Sequence, residues 1–112
     1  MLSWLLVGHM AGDYLFQTRW MATQKTTRLS ALAAHSAVYA CAVWLASLPT
    51  GGLNYPSVLL VFATHAVIDK RRFTMWWCRH VTGSDRMWLV ILTDQALHCV
   101  VLALACLLDR SL

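Results

Sequence analysis

The sequence contains no glutamate and has few charged side chains of any kind. Charged residues make up 12% of its 112 positions, whereas hydrophobic residues make up 59%. A typical soluble domain carries roughly 25% charged residues, so this composition argues against an ordinary soluble globular protein. The surplus of apolar side chains needs a second solvent, and the hydrocarbon core of a lipid bilayer provides one.

Two further absences narrow the class of protein. None of the four cysteines belongs to a C-x-x-C pair, which argues against a cysteine-based zinc or redox motif. The first apolar segment has no basic leading region, and His9 and Asp13 interrupt it, so we interpret it as a retained helix rather than a signal peptide. The net charge of +4 comes from lysines and arginines in the connections rather than along one helix face, which argues against binding to nucleic acid.

Four apolar segments are present, at about residues 2–22, 29–48, 53–70 and 86–108. Each has roughly the 20 residues that a helix needs to cross a hydrocarbon core of about 30 Å. The sequence therefore predicts an all-α fold, a four-transmembrane-helix bundle that forms a single domain over residues 1–112. Gly8 and Gly12 form a G-x-x-x-G pair, which predicts close packing of the first helix on the second, where small residues are common.

The basic residues indicate how this bundle is oriented. Eight lysines and arginines lie in the first and third connections, and Arg110 is the only one near the opposite side. The positive-inside rule places connections rich in lysine and arginine in the cytoplasm. We therefore expect loops 1 and 3 to be cytoplasmic and both termini to lie outside.

Ionisable residues inside apolar segments are the most informative feature of the sequence, because each costs about 2.5–3.5 kcal/mol to insert. There are seven: His9, Asp13, His35, His65, Asp69, Asp94 and His98. They include three His–Asp pairs four residues apart, so the members of each pair share a helix face. Depths counted at 1.5 Å per residue predict that the seven side chains converge in the cytoplasmic half of the bundle.

Four imidazoles and three carboxylates suit a divalent transition metal, with zinc favoured. All seven are candidate metal ligands, and their number fits either a dinuclear site or one ion with carboxylates that orient its ligands. Asp13, Asp69 and Asp94 are also candidate catalytic bases toward water. Three more residues would orient ligands, bind substrate or link helices by hydrogen bonds: Gln17, Tyr39 and Gln95.

Several functions remain open for such a cluster. The leading hypothesis is a metal-dependent hydrolase that acts on a lipid or lipid-linked substrate from the cytoplasmic leaflet, where basic side chains would attract an anionic headgroup. A non-enzymatic metal or proton transporter would use the same residues and would need to form a homo-oligomer. A phage-type membrane interaction protein is a third hypothesis. His–Asp pairs can also neutralise each other in a purely structural role.

The same residues carry a family resemblance. The run Gly8-His9-x-x-Gly12-Asp13-x-x-x-Gln17, followed by Trp20 and Lys25, is similar to the start of the domain-of-unknown-function 3307 family. Later motifs also resemble that family: His35-x-x-x-Tyr39, His65-x-x-x-Asp69 and Asp94-Gln95-x-x-His98. The resemblance implies a small bacterial or phage-borne protein of the inner membrane with a shared His/Asp/Gln core, and it implies no activity. The stretch 71–88, rich in tryptophan and arginine, departs from the pattern.

Overall fold

The computed structural model describes residues 1–84 and 86–111, with side chains as far as Asp109, and it is all-helical over that range. The side chain of Arg110, which was included in the count of lysines and arginines, lies outside the described residues. The helices are α1 (Leu2–Met10), α2 (Arg19–Gln24), α3 (Leu29–Ser47), α4 (Tyr55–Asp69), α5 (Arg72–Trp77) and α6 (Met87–Ser111). The all-α prediction is confirmed for the described residues.

Two of these helices are long and apolar enough to cross a membrane. They are α3 with the turn that follows it, Leu29–Thr50, and α6 over Met87–Asp109. Helix α4 has 15 residues and is therefore about 22 Å long at 1.5 Å per residue. Length and composition thus allow two spans, and the four-span bundle remains a proposal.

The first apolar segment differs from the single helix expected over residues 2–22. Helix α1 continues through a π-helical turn, Ala11–Leu15, and the helix then ends. Helix α2 starts at Arg19, because the hydroxyl of Thr18 accepts a hydrogen bond from the Met21 backbone N–H at 3.3 Å. An N-cap of this kind favours the start of a new helix. The chain therefore leaves the first helix before it reaches the basic residues of the first connection.

The bundle exposes many large apolar side chains and buries a polar cluster beside an apolar core. Large apolar side chains are exposed on every long helix, for example Val7, Leu45, Leu59 and Leu92. Helix α3 packs on α1 and α4, while α6 packs on α4 and α1. The histidines and aspartates singled out in the sequence lie at the centre of this arrangement.

Close packing of α1 on α3 depends on the two glycines. A Cβ atom on Gly8 would lie 2.7 Å from the Cα of Val43 and 2.9 Å from the carbonyl oxygen of Ala42. A Cβ atom on Gly12 would lie 3.0 Å from the Cα of Tyr39. The predicted close approach is confirmed, and it brings His9 and Asp13 against α3.

Gly8→Ala is therefore expected to push α1 away from α3, because the added methyl group meets backbone atoms that cannot rotate away. Overpacking of this kind typically costs about 1–3 kcal/mol. Thermal unfolding in detergent, followed by circular dichroism, should show a lower midpoint than wild type. Ser3→Ala, at an exposed position of the same helix, serves as the control. An unchanged midpoint for Gly8→Ala would contradict the packing described here.

Candidate metal centre

The seven ionisable residues come from all four apolar segments and meet at the centre of the bundle. None has more than 5% of its surface exposed, and His35 has none. Asp13 lies in the π-helical turn after α1, a deviation that is often found at functional sites. His35 lies on α3, His65 and Asp69 on α4, and Asp94 and His98 on α6.

Four of these residues form a compact group that we call the four-residue cluster. It consists of Asp13, His35, His65 and Asp69, each of which offers one ligand atom within 4.8 Å of the others. His35 Nε2–H donates a hydrogen bond to Asp13 Oδ1 at 3.0 Å, and the same nitrogen lies 2.9 Å from Asp69 Oδ2. Metal binding at this nitrogen would release that proton. The His65 Nε2 atom lies 3.2 Å from Asp69 Oδ2 and 3.8 Å from Asp13 Oδ1.

These separations suit a tetrahedral metal ion. An ion with bonds of about 2.0–2.1 Å keeps its ligand atoms about 3.3 Å apart, and the distances from 2.9 to 3.8 Å lie around that value. Two imidazole nitrogens and two carboxylate oxygens are also a donor set that zinc accepts. The residues present therefore fit a divalent transition metal.

Two atoms of the cluster lack hydrogen bonds. Both His65 Nε2 and Asp69 Oδ2 are buried and make no contact with hydrogen-bond geometry among the described residues. They approach each other within 3.2 Å, but without hydrogen-bond geometry. Asp69 Oδ2 nevertheless has close neighbours, because Lys25 Nζ and His35 Nε2 each lie 2.9 Å from it. Buried polar atoms are almost always satisfied, so His65 Nε2 indicates a place where a cation would complete its coordination.

The proton positions on two histidines point the same way. His98 Nδ1 lies 2.7 Å from the Asp94 backbone carbonyl oxygen, which can only accept, so Nδ1–H donates. In a neutral ring the His98 Nε2 atom must then accept, and it receives a hydrogen bond from His65 Nδ1–H at 2.9 Å. This leaves a lone pair on His65 Nε2, facing Asp69. This lone pair and the negatively charged Asp69 carboxylate repel each other. A cation between His65 Nε2 and Asp69 would attract both.

A second group shares Asp69 with the first. Asp69, Asp94 and His98 also offer ligand atoms within 4.8 Å of one another. The His98 Nε2 atom lies 3.5 Å from Asp69 Oδ1, and His98 Nδ1 lies 3.6 Å from Asp94 Oδ2. Both ring nitrogens of His98 already form hydrogen bonds, so this group is better arranged to orient His65 than to bind a second ion.

His9 lies beside the cluster with both ring nitrogens engaged. Its Nε2–H donates to Gln95 Oε1 at 2.6 Å, and its Nδ1 accepts from the Tyr39 hydroxyl at 2.7 Å. The Tyr39 ring also stacks on His65, with ring centroids 3.8 Å apart. In this arrangement His9 positions its neighbours, and its expected role as a metal ligand stays a prediction. Gln95 in turn donates to Asp94 Oδ2 at 3.2 Å.

Lys25 was not expected at this centre, because the sequence placed it among the loop charges. Its Nζ atom lies 2.9 Å from Asp69 Oδ2, and it donates to Gln17 Oε1 at 2.9 Å. Gln17 itself donates to the Asp13 backbone carbonyl oxygen. The sequence contained one indication of this role: Lys25 belongs to the family motif that begins at Gly8.

A cavity of about 150 Å³ adjoins the four-residue cluster. It is lined by Asp13, Tyr14, Gln17, Lys25, Arg71, Ile91, Asp94 and Gln95. Arg71, like Lys25, was expected to be only a loop charge. Its backbone is left-handed, with φ of 65°, a conformation that non-glycine residues rarely adopt and that is often found at functional sites. The lining of the cavity therefore includes two carboxylates and two cations.

Comparisons with known proteins agree with the resemblance seen in the motifs. No curated protein and no solved structure matches the chain. One family does match, described as a protein of unknown function (DUF3307), over residues 1–111. Because this match covers nearly the whole chain, the protein belongs to the DUF3307 family.

Proposed function

We propose that the protein is a membrane-embedded, metal-dependent hydrolase that binds one divalent ion, preferably zinc, in the four-residue cluster. Its substrate is a lipid or lipid-linked molecule that reaches the site from the cytoplasmic leaflet. The observation that carries the proposal is the four-residue cluster itself, which is buried and offers four ligand atoms within 4.8 Å of one another. Among the described residues its His65 Nε2 atom has no hydrogen-bond partner.

The distribution of polar and apolar side chains supports a membrane location. The helices expose many large apolar side chains, while the histidines and aspartates of the site are buried beside an apolar core. Soluble proteins, in contrast, expose only small apolar patches. In a bilayer, polar groups of this kind face the bundle interior. Four spans, with loops 1 and 3 in the cytoplasm and both termini outside, remain our proposal for the topology in the inner membrane.

Contacts between the two basic loops support this orientation. Lys25, Thr26 and Arg28 from the first loop line one cavity together with Lys70 from the start of the third. A larger groove of about 390 Å³ includes Thr26 together with Arg71, Arg72 and Arg79. These lysines and arginines from both loops therefore lie close together, where anionic headgroups of the cytoplasmic leaflet would meet them.

The residues around the cavity suit hydrolysis. A bound divalent ion would polarise the scissile group and make water a better nucleophile. Asp94 lines the cavity, and its Oδ1 atom is buried without a hydrogen-bond partner among the described residues, so it can accept the proton of the attacking water. The water oxygen then forms a bond to the scissile phosphorus or carbonyl carbon. The same proton passes to the leaving oxygen as the old bond breaks.

Purified protein in vesicles tests the proposal. Zinc-loaded protein in vesicles of phosphatidylethanolamine, phosphatidylglycerol and phosphatidic acid should release a hydrolysis product over time, measured by mass spectrometry. Asp94→Asn should lower the rate by about 100-fold or more, because a general base typically contributes 10²–10⁴-fold, while zinc content stays unchanged. Asp109→Asn, whose aspartate accepts from the Asn54 backbone N–H, is the matched control. Zinc-loaded protein that converts none of these lipids would contradict the hydrolase proposal.

A transport path is the second candidate function, and a specific observation favours it. A chain of hydrogen bonds links Tyr39, His9 and Gln95 to Asp94, and connected groups of this type can relay protons through a membrane. Vesicles that contain a pH-sensitive dye distinguish the two functions. Proton or zinc flux without lipid conversion would favour transport.

A further inference from the structure

We infer that the cavity beside the four-residue cluster is a phosphoryl-binding subsite in which Lys25 and Arg71 bind the phosphoryl oxygens of a phosphate-ester substrate. This inference rests on the proposed function and names its substrate class. The size of the cavity, its balance of charge and the geometry of Arg71 support it.

The cavity has the size of a headgroup fragment rather than of a whole lipid. Its volume of about 150 Å³ corresponds to about five water molecules at liquid density. A phosphoryl group and one attacking water fit such a space, whereas acyl chains do not. Its lining also provides amide groups, from Gln17 and Gln95, which can hydrogen-bond to phosphoryl oxygens.

The balance of charge makes binding of an anion depend on the metal ion. Asp13, Asp69 and Asp94 contribute three negative charges around the cavity, and Lys25 and Arg71 contribute two positive ones. With neutral histidines the region is negative by one charge and would repel an anion. One divalent cation in the four-residue cluster changes the net charge of the region from negative to positive. Anion and metal should therefore each increase the affinity for the other, because coupling between two bound ligands is reciprocal.

Arg71 is arranged for a ligand rather than for a protein partner. Its Nε atom is buried and has no hydrogen-bond partner among the described residues, and its side chain lines both this cavity and the basic groove. Its left-handed backbone is held by hydrogen bonds from Arg71 N to the Ile68 carbonyl oxygen and from Met75 N to the Arg71 carbonyl oxygen, each 2.9 Å long. A guanidinium group matches phosphate oxygens in two parallel hydrogen bonds.

Two cations beside a metal ion favour a phosphate ester over a carboxylic ester. A carbonyl group develops one negative charge on one oxygen during hydrolysis, which a metal ion alone can stabilise. A phosphoryl group distributes charge over three oxygens, and enzymes that act on it typically combine a metal ion with arginine or lysine. Lys25 Nζ, at 2.9 Å from Asp69 Oδ2, lies close enough to the cluster to share such a ligand with the metal.

Calorimetry with methylphosphonate, which lacks a hydrolysable ester bond, tests the inference on the full-length protein in detergent. Zinc-loaded wild type should bind methylphosphonate at least ten-fold more tightly than zinc-free protein does, and it should not bind acetate at comparable concentrations. Arg71→Gln should weaken methylphosphonate binding at least ten-fold and leave zinc content unchanged. Lys25→Gln, measured at saturating zinc because Lys25 Nζ contacts Asp69 Oδ2, should also weaken methylphosphonate binding at least ten-fold, and it replaces Arg71→Gln if that variant does not fold.

Arg72→Gln is the matched control, because Arg72 is the next residue, is exposed, and does not line this cavity. Equal methylphosphonate affinities for Arg71→Gln and Arg72→Gln would overturn the subsite, as would binding that ignores zinc. Zinc binding without methylphosphonate binding would overturn the subsite alone. A protein that takes up no zinc would overturn the proposed function together with the subsite.

Octylphosphonate identifies the source of the phosphoryl group, because it has the same head and an added alkyl chain. At least ten-fold tighter binding than methylphosphonate, lost in Arg71→Gln, indicates a lipid headgroup. Equal affinities indicate a water-soluble phosphate ester, which retains the subsite and overturns the lipid substrate.

Discussion

Asp69→Asn is expected to weaken zinc binding by at least about 100-fold. Substitution of groups that merely orient metal ligands already costs 10–100-fold, and Asp69 has a more direct position. Its Oδ2 atom lies 2.9 Å from His35 Nε2 and 3.2 Å from His65 Nε2. Asparagine keeps the size of the side chain but offers a neutral oxygen, so the change isolates the loss of charge.

Zinc-dependent thermal stability measures this effect in detergent. Zinc at 100 times its dissociation constant should stabilise the wild-type protein by about 2.7 kcal/mol. The same zinc concentration should stabilise Asp69→Asn by no more than about 0.4 kcal/mol, because it then at most equals the dissociation constant of the variant. Asp109→Asn is again the matched control, because that residue binds the Asn54 backbone and lies outside both groups of candidate ligands. A normal zinc response in Asp69→Asn would show that this carboxylate is not a ligand.

His98→Ala is expected to lower zinc affinity by about 10–100-fold, although His98 is not in the four-residue cluster. It accepts a hydrogen bond from His65 Nδ1–H at 2.9 Å, and such bonds fix the orientation and the tautomer of a metal-binding imidazole. His98→Gln should retain much of the affinity, because an amide oxygen can accept the same hydrogen bond. Competition with a chromophoric chelator would measure the three affinities.

Cys99→Ala, at an exposed position next to His98 on the same helix, controls for general effects of substitution in α6. If His98→Ala bound zinc with wild-type affinity, the hydrogen bond between His98 and His65 would not contribute to zinc binding. Equal loss in His98→Ala and His98→Gln would show instead that His98 acts through its own nitrogen atoms, as a ligand of the metal.

The convergence of the polar residues could be predicted because it depends on local geometry. His65 and Asp69 are four residues apart, and that spacing places both on one face of any helix. The four apolar segments in the sequence are similar in length. Counting residues from the end of each segment therefore predicted that ionisable residues of different helices lie at a similar height along the bundle. The structure places all seven side chains at the centre of the bundle, as the sequence predicted.

The division of roles among these residues could not be predicted from spacing. His9 is paired with Asp13 in the sequence, but its nitrogens contact Tyr39 and Gln95. That outcome depends on the rotation of α1 about its axis and on the π-helical turn that carries Asp13. Helix rotation is decided by packing against α3 at Gly8, which a periodic pattern does not describe.

The contribution of the basic loops also depends on distant contacts. The position of Lys25 beside Asp69 requires the first connection to fold back over the end of α4. The start of α2 at Arg19 shapes that path. In the third connection, the backbone at Arg71 is left-handed, and Arg71 lines the same cavity as Lys25. A count of loop charges predicts orientation in a membrane, but it does not predict which cation reaches the centre.

X-ray absorption at the zinc edge would test the central claim most directly, on purified protein loaded with one equivalent of zinc. The account predicts one tightly held ion with four nitrogen or oxygen neighbours at about 2.0–2.1 Å, two of them showing the outer-shell scattering of imidazole rings. Sulfur neighbours, or a folded protein that retains no zinc, would contradict it.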